Sequence, residues 1–243
     1  MITYFIPVYN EASKDLKKFL NSLEKKILIS KNIKFIIVDD GSTDETVKMI
    51  NNFLKNKKIS DLKKITFLKN KTNKGIGFSF RRAVKICKTK YICPIPSDND
   101  LPFVNESVIE KKKLDFIIFY PINNEKYTNS RYLLSMMFRI LFCIIFNIRV
   151  NYIQGSFIAK TEIVKKIKLY SNRFTFWAEL NVKMLHLDLK FTEIPLFFKN
   201  KSEIDRTVSF KNFFEIFKSL NWLIIEIKFL EKKRYKNKST KMY

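Results

Sequence analysis

Only four glycines occur in 243 residues, where average usage would supply about seventeen. Gly41, Gly75, Gly77 and Gly155 are therefore expected where φ is positive or another backbone comes close. A single histidine, His186, removes the basis for a histidine-dependent triad or a zinc site. Cys87, Cys93 and Cys143 show neither CxxC nor metal spacing and read as reduced cytosolic thiols. The first eight residues run straight into a strand-like pattern, without the charged region that opens a signal peptide. No apolar run promises a membrane span, because residues 132–146 are short and interrupted by Arg139.

Acidic charge is the other scarcity. Lys and Arg number 47 against 23 Asp and Glu, a net charge of +24. Such an excess suits nucleic acid, an anionic membrane or phosphorylated ligands. A coding bias toward Lys, Asn, Ile and Phe accounts for it equally well, since Arg is itself rare at eight residues. With 46% hydrophobic residues the chain can bury a sizeable core, which excludes a disordered polycation.

What is present alternates. Residues 2–6, 34–38, 65–68 and 91–95 read as strands. Between them lie helical stripes, the first through Leu16, Phe19, Leu20, Leu23 and Ile27. The second helix is expected to open with Ser42 or Thr43 as N-cap and to turn Val47, Ile50 and Leu54 inward. The third covers residues 77–88. This order predicts an α/β fold with a mostly parallel sheet and right-handed crossovers. A further strand is expected at 114–120, a long apolar helix at about 129–146, a helix at 176–187 and a strand ending near Pro195. An amphipathic helix over 211–230 carries Phe213, Phe217, Leu220, Ile224 and Ile227, with Lys232, Lys233 and Arg234 behind it. No Pro-, Gly- or Ser-rich linker divides the chain, so one domain over 1–210 with a helix and basic tail over 211–243 is expected.

Ligands of parallel α/β sheets bind beyond the carboxyl ends of the strands, and the unusual residues gather there. Pro7–Glu11 follow the first strand, Asp39–Asp44 the second, Asn73–Gly77 the third and Asp98–Asp100 the fourth. Carboxylates in such positions can accept from a nucleobase edge or ribose hydroxyls. An Asp-x-Asp offers hard oxygen ligands to a divalent cation. Singly, each stretch is also ordinary turn chemistry.

Taken together, "IPVYNEA", "IIVDDGSTD", "NKGIG" and the "DND" after the fourth strand resemble family 2 glycosyltransferases of the GT-A (Rossmann-like) fold. Within that family the chain is most similar to the dolichyl- and polyprenyl-phosphate sugar transferases, over roughly residues 2–210. The resemblance implies that Pro7, Tyr9 and Glu11 line a nucleotide pocket and that Val38 and Asp40 contact the base. Asp39 and Asp44 are left to shape the loop. Asp98, Asn99 and Asp100 would hold the diphosphate, with Asp98 and Asp100 binding Mg2+ or Mn2+. Arg131, Arg206 and Glu179 match positions of catalytic use, the arginines for the departing diphosphate and Glu179 as a proton acceptor. Gly155 and Ser209 also match family positions. Asn151 stands where many relatives have an aspartate, and Gln154 replaces a small hydroxyl residue. Pro94 and Pro96 sit in what should be a strand.

The implied reaction is metal-dependent, inverting transfer from a nucleoside-diphosphate sugar to a polyprenyl phosphate. It would occur at the cytosolic face of an anionic membrane, with the 211–230 helix making the peripheral contact. A sugar hydroxyl of a glycan is the other acceptor, and a catalytically silent nucleotide-binding relative remains a rival. A nucleic-acid-binding protein lacks support: the basic residues are dispersed and no recognition signature occurs. A nucleotidyltransferase would open with a glycine-rich basic loop, which "IPVYNEA" is not.

Overall fold

The computed structural model describes residues 1–97, 102–104, 107–122, 129–173, 175–197 and 210–242, without the side chains of 129–132 and 210–215. The backbone divides into two compact units, residues 1–106 with 158–166 and residues 107–157 with 167–243.

In the first unit the expected alternation is realised as β1 (Ile2–Val8), α1 (Lys14–Ile29), β2 (Ile33–Asp39), α2 (Thr46–Lys55), α3 (Ile59–Leu62), β3 (Ile65–Lys69), α4 (Ile76–Ile86) and β4 (Tyr91–Pro94). The strands β1, β2 and β3 pair in parallel, and β1 also pairs in parallel with β4. Both β1 and β2 read as nearly unbroken apolar runs because both faces of a parallel sheet are covered. The five apolar positions of the α1 stripe are all buried, and Ser13 caps that helix by accepting from the Asp15 and Leu16 amides.

Two expectations need correction. The second helix begins at Thr46, not behind Ser42 or Thr43. Those residues are used elsewhere: the Asn10 amide donates to Ser42 Oγ (3.0 Å) and the Thr43 amide to Asn10 Oδ1 (2.9 Å). Of its three expected inward residues only Ile50 is fully buried. The prolines of the fourth strand are accommodated by position. Antiparallel pairing with β6 (Phe157–Lys160) involves only Tyr91 and Ile92 of β4, so Pro94, lacking an N–H, lies past that ladder. Sequence reasoning missed β6 and the short α7 (Thr161–Lys166) behind it.

Walking from β1 through β2 to β3 moves one way across this sheet, and β4 then pairs on the other side of β1. The reversal creates a crevice at the carboxyl ends of β1 and β4, where doubly wound sheets place ligands.

The second unit contains α5 (Ser107–Lys111), β5 (Phe116–Pro121), α6 (Asn129–Phe146), α8 (Phe176–Leu185), β7 (Lys190–Leu196), α9 (Phe210–Ile225), a π-helical turn at Glu226–Leu230, and β8 (Thr240–Lys241). Strands β5 and β7 pair in parallel, as do β7 and β8. The tail is thus built into this unit, and no backbone boundary falls at 210/211. Along α9 and the turn, Leu220, Leu223 and Ile227 are buried while Phe217 faces outward, so the amphipathic helix packs on its own unit with part of its apolar surface left over.

Gly155 is required by contact. A Cβ there would lie 2.1 Å from the Phe119 carbonyl oxygen, so any side chain would force the backbone apart. The fold is α/β with central sheet strands flanked by helices, as the alternation predicts.

Candidate functional site

The carboxyl edge of the first unit is organised by two adjacent carboxylates with different surroundings. Asp40 is buried and accepts from four donors. Asn70 Nδ2 (2.6 Å), the Lys74 amide (3.1 Å) and Ser79 Oγ (3.1 Å) reach Oδ1, and the Gly75 amide reaches Oδ2 at 2.7 Å. Gly75 takes φ 91°, so its amide can point back at the carboxylate while it opens α4. Asn70 also donates to Ser79 Oγ at 2.9 Å and accepts from Arg82 at 2.5 Å. Asp40 therefore locks the β3–α4 loop onto the end of β2.

Asp39 is equally buried, but among the described residues its carboxylate accepts only from the Ser42 amide, at 3.2 and 3.4 Å from its two oxygens. It keeps acceptor capacity that Asp40 has spent. Asp40 therefore carries a loop-shaping part that the resemblance gives to Asp39. Gly41 between β2 and the following loop takes φ 78°, and a Cβ there would meet Thr72 C at 2.5 Å. Nothing in the sequence showed which aspartate the β3–α4 loop would engage, because Asn70 and Ser79 look like ordinary strand-end and helix residues.

Two other loops join this edge. Tyr9 is exposed beyond β1, and Asn10 adopts φ 50°. The Glu11 amide donates to Thr46 Oγ1 (2.8 Å) and the Ala12 amide to Asp44 Oδ2 (3.1 Å). Burial works to raise the Asp44 carboxyl, but hydrogen bonds from Thr46 and the Ala12 amide outweigh it and hold the group below its usual range. Asp44 so braces the β1 loop against the start of α2. Pro7 pairs in register with Val38, which is wholly buried in β2. Asn73 contributes a buried Oδ1 without a hydrogen-bond partner among the described residues. It is a buried polar atom on the loop that Asp40 fixes.

Asp98, Asn99 and Asp100 lie outside the described residues, as do Arg206 and Ser209, and nothing is described of the Arg131 side chain in α6. The chain on either side of the aspartates is anchored. Ser97 is buried, and Phe103 packs against Tyr4, Phe19 and Phe35 with ring centroids 5.1–6.0 Å apart. Tyr4 also donates to the Val104 carbonyl at 2.5 Å. No cluster of three or more His, Cys, Asp or Glu suited to a metal occurs among the described residues. The oxygen-only set Asp98, Asn99 and Asp100 fits a hard divalent cation by its chemistry.

In the second unit Glu179 sits in the first turn of α8 and is buried. Oε1 accepts from the Tyr170 amide (3.0 Å) and Lys183 Nζ (2.7 Å), and Oε2 accepts from the Ser171 amide (2.7 Å). Lys183 is wholly buried, and its ammonium also reaches Glu226 (2.7 Å) and the Lys168 carbonyl (2.6 Å). This arrangement ties α8 to the 168–171 turn and the π-helical turn, and it engages both Glu179 oxygens. Asn151 meets Glu193, its amide at 2.6 Å from Oε1 and its side-chain nitrogen 3.2 Å from Oε2. An aspartate in that place would oppose Glu193, so the departure from the family pattern has a local cause.

Residues 3–111 match the sequence profile described as Glycosyl transferase family 2. That match supports an enzymatic, sugar-transfer function. The chain is similar to the dolichyl-phosphate beta-glucosyltransferase of Dictyostelium discoideum, 30% identical over 115 residues covering 45% of this chain and 34% of that protein. It spans less than half the length of the curated relatives it matches. Among solved structures it resembles mannosyl-3-phosphoglycerate synthase from Rubrobacter xylanophilus, with TM-score 0.66, 13% identity and coverage of 95% of this chain and 76% of that one. It also resembles glucosyl-3-phosphoglycerate synthase from Mycobacterium tuberculosis in complex with Mn2+, UDP and phosphoglyceric acid. The TM-score there is 0.59 and the identity 15%, covering 93% and 78% of the two chains. At these identities the structures establish the fold, which is of the GT-A type.

Proposed function

We propose that the protein transfers a sugar from a nucleoside-diphosphate sugar to a polyprenyl-type phosphate at the cytosolic face of a membrane. The observation that carries the donor half is the division of labour between Asp39 and Asp40. Four donors consume Asp40 in fixing the β3–α4 loop, and Asp39 retains the acceptor capacity that a base N–H or a ribose hydroxyl needs. Tyr9 offers an aromatic face beside it, with Pro7, Glu11 and Val38 forming the wall. Asp98, Asn99 and Asp100 are assigned to the diphosphate and to Mg2+ or Mn2+, a metal that one structural neighbour holds together with UDP. When bound, the cation supplies charge for the departing diphosphate. Arg131 and Arg206 are assigned to the same charge.

The lipid-phosphate acceptor is favoured by the state of Glu179. A sugar hydroxyl must lose a proton as it attacks, and a base for it must be within hydrogen-bond reach. Glu179 is engaged by two amides and an ammonium, and its assignment here is to hold the 168–171 turn. A phosphate oxygen is already anionic. It attacks the anomeric carbon from the face opposite the leaving group, the bond to the diphosphate oxygen breaks, and the configuration inverts without a strong base. The C-terminal helix supports peripheral membrane contact through exposed Phe217, Trp222 and Phe229 beside Lys232 and Lys233. No helix among the described residues is long and apolar enough to cross a membrane.

The test is thermal stabilisation by UDP, GDP, dTDP and CDP with and without Mn2+, in the wild type, Asp39→Asn and Asp98→Ala/Asp100→Ala. A Mn2+-dependent shift with one nucleotide, lost in both variants, is expected, followed by labelling of a polyprenyl phosphate. Absence of any shift, or a shift that survives in both variants, refutes the donor site.

A further inference from the structure

The least explained surface of the protein is α6. Between Asn129 and Phe146 its sequence holds no acidic residue and only two arginines, Arg131 and Arg139. A helix that is apolar nearly all round is ordinarily covered on every side. Here one side is covered, by burial of Phe142 and Phe146 at 1% and 2% exposure. The other is open: Leu133, Leu134, Met137, Ile140, Leu141 and Ile144 are all exposed, Met137 at 58% and Ile144 at 73%. At about 100° per residue these six fall within roughly one third of the helix circumference. They form a continuous stripe about 16 Å long at 1.5 Å per residue, with no charged residue inside it. An apolar strip on that scale marks an interaction surface rather than the scattered exposed residues of an ordinary monomer.

Charge selects the occupant. The chain carries +24, which opposes close approach of a second copy and draws the protein to an anionic surface. The helix and its exit carry Arg131, Arg139 and Arg149 with no acidic residue between 129 and 150. The stripe is too short to span a hydrocarbon core of about 30 Å, so the fitting geometry is a helix lying in the plane of the lipid headgroups. We propose that the outward face of α6 is a docking surface for an anionic lipid bilayer. The inference rests on the membrane reading above for the kind of partner, and assigns to it an element that reading does not use.

Flotation of the purified chain with phosphatidylcholine vesicles, and with vesicles of phosphatidylcholine mixed with phosphatidylglycerol, tests it. Two variants accompany the wild type: Met137→Asp/Ile144→Asp on the stripe, and Phe229→Ser/Leu230→Ser at the C-terminal end. All replaced side chains are exposed, and unchanged circular dichroism melting verifies folding. The expected result is binding to the anionic vesicles and not to phosphatidylcholine alone, weakened at least about tenfold by the α6 pair of acidic substitutions. Failure of the wild type to float with anionic vesicles overturns the proposal. So does undiminished binding of the α6 variant, or a solution dimer that this variant dissociates, which would make the stripe a contact between copies. Binding lost only in the C-terminal variant overturns it too, while leaving the membrane reading intact. Nucleotide-dependent stabilisation is recorded on the same samples, so failure of the donor site is seen separately.

Discussion

Adjacent aspartates in one strand end share charge, burial and sequence context, yet Asp39 and Asp40 differ in every donor that reaches them. Asp40→Asn replaces one acceptor oxygen with a donor that faces other donors. Hydrogen bonds to charged groups contribute about 1.5–3 kcal/mol each, and the loss of part of this network is expected to lower the urea unfolding free energy by about 2–3 kcal/mol. Asp39→Asn, which disturbs the Ser42 amide contact alone, is expected to change stability by less than about 1 kcal/mol and to abolish the nucleotide-dependent thermal shift. The reverse pattern, Asp39 stabilising and Asp40 binding, would return the pair to the roles implied by family resemblance. His186 is a second case at this scale. Its ring nitrogens lie 2.9 Å from the Val182 carbonyl and 3.1 Å from the Phe146 carbonyl. Burial pushes its pKa below 6.5, with Lys238 adding to the shift and the two carbonyls opposing it. A folded value below the unfolded one gives stability that is present above 6.5 and lost as pH falls through the folded value. As the sole histidine, its imidazole resonances can be titrated by proton NMR without assignment, and a midpoint above 6.5 would contradict the buried neutral ring.

Among the elements, α8 and the π-helical turn are joined by one ammonium between two carboxylates. Removing the cation leaves Glu179 and Glu226 buried and uncompensated, so Lys183→Met is expected to cost about 3–5 kcal/mol, read as a fall in the denaturation midpoint. Glu226 has its pKa raised from 4.5, first by burial, with Lys183 working against the rise. A folded value above the unfolded one gives a contribution present below 4.5 and lost as pH rises through the folded value. Glu226→Gln is therefore expected to melt at or above the wild type at neutral pH, the difference closing as the pH falls toward 4.5. A difference that widens in acid would show that the ionised form is the stabilising one. The sequence located α1, α6 and α8 well, because a stripe of apolar residues at 3.6 spacing, as in α1, or a long apolar run, as in α6, is a local property. The start of α2 was misplaced because Ser42 and Thr43 serve Asn10, a partner 32 and 33 residues away.

For the molecule as a whole, charge and apolar surface act together. The charge of +24 alone fits a coding bias as well as a partner. The charge-free stripe on α6 gives it a direction. If vesicle binding has the electrostatic part argued above, it weakens as added salt shortens the Debye length from about 10 Å at 0.1 M to about 3 Å at 1 M. Salt-independent flotation would mean that apolar insertion suffices and that the basic excess is incidental.

The alternation of strand and helix, the loops beyond four strand ends and the family they resemble were legible in the residues themselves. Periodicity and turn chemistry act over a few neighbours, and the chain displays them in order. Three of the four glycines were legible as constraints too: Gly41 and Gly75 have positive φ, and Gly155 admits another backbone, whereas Gly77 lies within α4 without a positive φ. Only the tertiary structure decided which aspartate is consumed, since Asn70 and Ser79 stand 30 and 39 residues from Asp40. It likewise decided that Glu179 is held by Lys183 and two amides, and that one face of an apolar helix is left open. Each of these depends on which distant side chain arrives at a given atom. Folding settles that, because a buried charge or amide must find its partner wherever the chain brings one.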